Sequence, residues 1–221
     1  RGDWIVLLNS DVVVTAGWLD RLLACARAHP RAGLVGPATN RISGPQEVPV
    51  SYDEESRRGL ERFAARLAAE RAGQAARHWR AVGFCVLIRR DVVARVGGLD
   101  PRFGIGNFED DDYCLRAHLA GFEIWHAHDA FVHHEGGRSF AAAGVDRQAS
   151  ILANWEVFKA KWGLPATAAY GQAHDFGPCL AGGFDPARHF VPLPDAAAGA
   201  AAAGVAPAGA PQAAAPPADA A

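Results

Sequence analysis

The sequence contains no methionine, only four cysteines and three tyrosines, and no apolar run of the length that crosses a bilayer. Each shortage excludes something. Cys25, Cys85, Cys114 and Cys179 are far apart and lack the paired spacing of a metal cage or a disulfide framework. They are expected to be reduced, partly buried thiols of a cytoplasmic protein. A membrane helix needs about 20 consecutive apolar residues, so no transmembrane segment is expected. The 22 Lys and Arg residues nearly balance the 24 Asp and Glu residues, and a net charge of -2 offers no basic field for nucleic acid. No secretory signal opens the chain, and one that starts at Arg1 without any methionine is expected to lack its natural N-terminus. No segment repeats. Half of the residues are hydrophobic, which is enough for a core.

The densest chemistry lies at Gly104-Ile105-Gly106-Asn107-Phe108-Glu109-Asp110-Asp111-Asp112-Tyr113, four carboxylates behind a glycine-bearing turn. An amphipathic helix pattern follows, with Tyr113, Leu115, Leu119 and Phe122 apolar. Capping of the helix N-terminus accounts for one or two acids. Four adjacent carboxylates repel one another, raise at least one pKa and point instead to proton transfer or a cation.

Upstream, Trp4 to Leu8 is continuously apolar, as in a strand buried on both faces of a mainly parallel sheet. It runs into Asn9-Ser10-Asp11. In open α/β sheets ligands bind beyond the carboxyl ends of strands, which makes Asp11 a site candidate as well as an ordinary turn aspartate. A helix is expected over 15–29, capped by Thr15 and stopped by Pro30, then a short strand over 33–37 and a polar loop over 39–49. Residues 53–77 read as one amphipathic helix with a solvated Arg/Glu face, and 79–89 as a strand ending in Arg89 and Arg90, which could meet a phosphate or pair with local acids. A short helix follows, capped by Asp91.

After the acidic helix, 122–125 and 131–132 read as two short strands. The second delivers His133-His134-Glu135-Gly136-Gly137-Arg138, where neutral imidazoles could ligate a metal or simply lie at the surface. A last helix is expected over 146–162, closed by Gly163 and Pro165. Residues 166–195 read as an irregular extension, and from Ala196 the composition collapses to Ala, Gly and Pro, which cannot bury a core; 196–221 is expected to be a disordered tail.

The order of these pieces resembles a known family. A buried strand ends in Asn9-Ser10-Asp11; Gly83-Phe84-Cys85 follows, then Gly97-Gly98-Leu99-Asp100-Pro101-Arg102-Phe103 and Phe108-Glu109-Asp110-Asp111-Asp112-Tyr113-Cys114-Leu115-Arg116. His134-Glu135-Gly136-Gly137-Arg138-Ser139-Phe140 and Asn154-Trp155 to Lys161-Trp162-Gly163 complete the series. Taken together, residues 1–165 look like the later two-thirds of a family 2 glycosyltransferase of GT-A fold: α/β, a partial Rossmann-like mixed sheet flanked by helices. The resemblance implies an inverting transfer of a sugar from a nucleotide-sugar donor to a hydroxyl of a glycan, lipid or protein acceptor. It implies a divalent cation, Mn²⁺ or Mg²⁺, on the donor diphosphate, with Asp11 and His134 as its ligands and Asn9, His133 and Arg138 as diphosphate or outer contacts. Asp110 becomes the general base, supported by Glu109, Asp111 and Asp112. It also implies a cytoplasmic protein, compatible with peripheral attachment at the inner membrane face. The family's nucleotide-binding half would precede Arg1, so the chain is expected to lack it and to leave a sheet edge uncovered. Two rival readings are a metal-dependent phosphohydrolase built on Asp11, Asp110 and His134, and a truncated, non-catalytic binding module.

Overall fold

A computed structural model describes residues 2–54, 56–104, 106–136 and 146–194. Arg138 and the tail after 194 lie outside the described residues. Six strands, β1 (Trp4–Leu8), β2 (Val12–Val14), β3 (Ala32–Ala38), β4 (Ala75–His78), β5 (Cys85–Arg89) and β6 (Glu123–His134), form one mixed sheet in the order β1-β5-β3-β6-β2, with β4 paired to β6. Only β3 and β6 run parallel; every other pair is antiparallel. The α/β mixed sheet flanked by helices is the one that the GT-A resemblance implies.

The helices are α1 (Trp18–Ala28), α2 (Arg57–Glu70), α3 (Arg90–Val96), α4 (Glu109–Leu119) and α5 (Arg147–Trp162), with single-turn helices α6 (Gly177–Leu180) and α7 (Pro186–His189). Strand alternation divides the core. Val35 and Leu87 join Leu22, Cys25 and Ala26 of α1 on one face, while Leu34 and Ile88 join Val92, Val96, Tyr113 and Ala117 of α3 and α4 on the other. Phe63, Ala64 and Leu67 of α2 seal Phe131. Trp155, Phe158 and Trp162 of α5 cover Phe103 and Leu115. The compact unit extends to Val191, beyond 165, because Phe176, Cys179 and Leu180 pack into this last cluster. No helix of the described residues is long and apolar enough to cross a membrane.

Several elements differ from their sequence-based expectation. β1 is half-buried and antiparallel to β5, and among the described residues its other edge has no partner; its apolar run reflects an outer strand with both faces partly covered. The 53–77 segment is helical only to Glu70, and Ala75–His78 leaves to pair with Ile124–Ala127. Within 79–89 only Cys85–Arg89 is strand. The two short strands after α4 are a single β6, bent where its pairing with β3 shifts register between Pro37 and Ala38. Thr15 is not a cap: its hydroxyl donates to the Phe131 carbonyl at 2.6 Å and Gly17 starts α1. Arg89, not Asp91, precedes the first turn of α3. Ala120 is the C-cap of α4, with Gly121 at φ 89 just beyond it.

Candidate active site

Asp11 stands in the turn between β1 and β2. Its carbonyl accepts from the Glu135 N–H at 2.9 Å, which continues the β2–β6 ladder and brings Asp11 beside His134. The Asn40 side chain grips the backbone of His134, accepting from its N–H at 2.8 Å and donating to its carbonyl at 3.2 Å. The His134 ring stacks on Phe84, with centroids 5.3 Å apart. Its Nδ1 lies 2.9 Å from the Arg41 carbonyl; a carbonyl only accepts, so Nδ1 carries the proton. In the neutral ring Nε2 then presents a lone pair to Asp11 Oδ1, 3.6 Å away. That Oδ1 is buried and has no hydrogen-bond partner among the described residues. Two acceptors facing each other in a buried place need a proton or a cation between them. The oxygen-plus-imidazole donor pair suits Mn²⁺ or Mg²⁺ completed by substrate oxygens and water. Among the described residues no three His, Cys, Asp or Glu side chains form a metal-binding group; Asp11 and His134 are the described pair that would hold a cation.

The acids arrive on the first turn of α4. Asp110 is held from both sides: its Oδ2 accepts from the Gly83 N–H and its Oδ1 from the Asp111 N–H, each at 2.9 Å. A Cβ at Gly83 would lie 3.4 Å from that of Asp110, an ordinary van der Waals contact, so the approach does not depend on glycine. Segment 79–84, which carries Gly83, is itself fixed at several points. Gln46, 2% exposed, accepts from the Val82 N–H at 2.8 Å and donates to the Pro37 carbonyl at 2.9 Å. His118 and His126 reach the carbonyls of Trp79 and Arg80 at 3.0 and 2.7 Å. Burial lowers both histidine pKa values, that of His126 to about 4.

Asp111 is buried with Arg80 Nε 3.0 Å from its Oδ1. Burial, and next the charge of Asp110, push its carboxyl upward against the pull of Arg80. Glu109 is pushed up to about 7 by burial and by Asp110. Burial and the neighbouring charge of Asp110 thus favour the protonated forms of Glu109 and Asp111.

A cavity of about 640 Å³ joins these acids to the Asp11–His134 pair. Asn9, Asp11, His134, Glu109, Asp110 and Asp111 all line it, with Arg41, Arg80 and Arg147 as its cations. Two sequence-derived candidates lie elsewhere. His133 points to the opposite strand face, where its Nδ1 meets the Tyr52 hydroxyl at 2.7 Å. Asp112, fully buried, turns into an ion network with Arg116 at 2.8 Å, Lys161 at 2.5 Å and the Trp162 indole at 3.1 Å. Sequence reasoning missed Arg41, Arg80, Arg147 and Tyr170 in the cavity wall; no local pattern marks them, because distant loops bring them together.

The family model described as "Glycosyltransferase like family 2" matches residues 1–149. An uncharacterized protein of Sinorhizobium fredii is 26% identical over 187 residues, covering 80% of this chain and 19% of that protein. An N-acetylglucosaminyl-diphospho-decaprenol L-rhamnosyltransferase of Mycobacterium tuberculosis is 30% identical over 149 residues, covering 62% of this chain and 48% of that enzyme. The chain thus spans less than half the length of the curated relatives it matches. The matched segment holds every element from β1 to β6, the acids of α4 and the Asp11–His134 pair, and the chain belongs to the family 2 glycosyltransferases.

Proposed function

We propose that this chain carries the catalytic centre of an inverting transfer of a sugar from a nucleotide-sugar donor to an acceptor hydroxyl. The observation that carries the reading is Asp110: an acid fixed by two backbone N–H groups, at the wall of the cavity that also holds the Asp11–His134 pair. In a single displacement the acceptor oxygen bonds to the anomeric carbon as the bond to the nucleoside diphosphate breaks, and the hydroxyl proton passes to Asp110. A base held within hydrogen-bond reach contributes about 10²–10⁴-fold to such a step. Glu109 and Asp111, both with raised carboxyl pKa values, flank Asp110 at the head of α4. Asp11 and His134 would hold a divalent cation, which neutralises charge on the departing diphosphate. Asn9 and Arg41 line the same cavity and would contact the diphosphate.

The rhamnosyltransferase likeness makes a lipid-diphosphate-linked sugar, the acceptor type in that relative's name, the first acceptor to try, ahead of free glycan or protein. The four free thiols suit a reducing, cytoplasmic setting, and a lipid acceptor would draw the protein to the inner membrane face.

The test is turnover. Uridine, guanosine and thymidine diphosphate sugars are supplied with Mn²⁺ and such an acceptor, and the anomeric configuration of the product is read by NMR. Inverted product that Asp110→Asn reduces by about 10²-fold or more agrees with the reading. Release of inorganic phosphate without an acceptor would replace it with the phosphohydrolase reading.

A further inference from the structure

The turn that leads into α4 is held in a conformation that its residues do not favour. Asn107 and Phe108 both have positive φ, 75° and 72°, and are the described non-glycine residues that do. A left-handed backbone is unusual for asparagine and costly for phenylalanine, and here two such residues stand directly before Glu109 and Asp110. Strain of this kind persists only where the surroundings over-determine it.

The surroundings that do so come from α5. Asn154, buried, directs its side-chain Nδ2 at three carbonyls of the turn: Phe103 and Gly106, each at 2.7 Å, and Asn107 at 3.3 Å. The next residue on α5, Trp155, and Phe158 one turn on hold the Phe108 ring, each with centroids 5.4 Å away. Phe108 in turn starts α4, since its carbonyl accepts from the Asp112 N–H at 2.9 Å. The direction of the first turn of α4, and with it the aim of Asp110 at the Gly83 N–H, therefore depends on a side chain on another helix. Asn154 opens the last piece of the resemblance, just beyond the residues 1–149 that the family model matches.

We propose that Asn154 is a positioning residue for Asp110: its amide locks the left-handed turn 106–108 in the conformation that presents the Asp110 carboxylate to the cavity. The proposal rests on the reading of Asp110 as the base. Its chemistry is local. An amide NH₂ is the one uncharged side-chain donor with two hydrogens, and the turn offers it three acceptors. Alanine leaves those carbonyls without it, and the turn is then free to relax towards ordinary dihedrals, which shifts the first turn of α4. Displacements of about 1 Å at a reacting group cost on the order of 10²-fold in rate.

The experiment compares the parent chain with Asn154→Ala, Asn154→Ser and the double variant Asn154→Ala/Asn107→Gly. Amide hydrogen exchange is followed by NMR at Gly83 and Asp111, whose N–H groups bind Asp110, and at Val35 and Ile124 as sheet controls. Turnover is measured with whichever donor and acceptor the panel above yields. For Asn154→Ala, the Gly83 and Asp111 amides should exchange about tenfold faster or more while the controls hold. kcat should fall about 10- to 100-fold with KM within about twofold. Glycine adopts positive φ freely, so the double variant should regain part of the Asp111 protection. Asn154→Ser keeps one donor and should give a smaller change, and it carries the same comparison if the alanine variant does not fold. Unchanged exchange at Gly83 and Asp111, equal loss at all four amides, or no recovery in the double variant would overturn the proposal. The exchange measurement needs no substrate. Local loss of protection in a chain that never turns over would support the positioning role and count against the transferase reading, whereas unchanged protection beside measurable turnover would do the reverse.

Discussion

Asp112 is the acid of the four whose removal should be felt in stability rather than chemistry. Its carboxylate is fully buried and receives Arg116 Nε at 2.8 Å, Lys161 Nζ at 2.5 Å and the Trp162 indole at 3.1 Å. Arg116, equally buried, also donates to the carbonyls of Val96 and Gly98, each at 2.8 Å, so this pair ties α4 to the turn after α3. Lys161 bridges onward to Asp100 at 2.7 Å. Asp112→Ala strands Arg116 as a buried cation without its carboxylate. Breaking a buried pair by removing one partner costs about 3–5 kcal/mol. For a domain of this size each kcal/mol moves the melting temperature by about 2–4 °C, so the expected drop is about 6–20 °C. Circular-dichroism melts of Asp112→Ala and of Asp112→Leu/Arg116→Met check it. The double variant removes both charges and should recover much of the loss. An Asp112→Ala chain that melts within about 1 °C of the parent yet loses turnover would refute this account and return Asp112 to the reacting centre.

Two further outcomes follow from the same structure. Glu109 has its pKa raised from 4.5 to about 7, so the folded chain binds a proton that the unfolded chain releases first; that contribution to stability is full below 4.5 and is lost as pH rises through about 7. Relative to the parent, Glu109→Gln should therefore gain stability across that window, and urea melts at a series of pH values measure the difference, which a constant offset would contradict. Gly97, at φ +80, leaves no room for a side chain: a Cβ would lie 1.7 Å from the Val191 carbonyl. Gly97→Ala should cost about 2–4 kcal/mol and speed proteolysis within 177–191, and an unchanged melt would mean that the strand-like contact between Gly97 and Val191 is not maintained in solution.

How far the sequence reveals the fold depends on how local each determinant is. β1, α1, α3 and α5 were legible because an apolar period or run and a stop signal sit in one short window. The family resemblance, not a local period, is what grouped Asp11, His134 and Glu109 to Asp111, and these residues line one cavity. It ranked His134 over His133 but kept both at the site, and it kept Asp112 beside Asp111, because one residue of strand alternation or of helical rotation decides which of two neighbours faces the site. β4 carries Ala75-Ala76-Arg77-His78, with no β-branched residue to announce a strand, and His126, His128 and Asp129 interrupt the apolar period of β6, whose pairing with β3 skips from Ala127 to Phe131. Gln46, Arg80 and Tyr170 act across long sequence separations, and nothing in their own neighbourhood signals it.

In the proposed function Asp11 and His134 would together receive a cation and the diphosphate of a donor. The direct measurement is calorimetric titration of Mn²⁺, and then of uridine, guanosine and thymidine diphosphates, into the chain and into Asp11→Ala and His134→Ala. The account predicts diphosphate binding that requires Mn²⁺ and that each substitution weakens by about tenfold or more, with the melting temperature retained. Equal binding with and without Mn²⁺, or binding that both substitutions leave intact, would contradict it, because a proton on His134 would then suffice to join the two side chains.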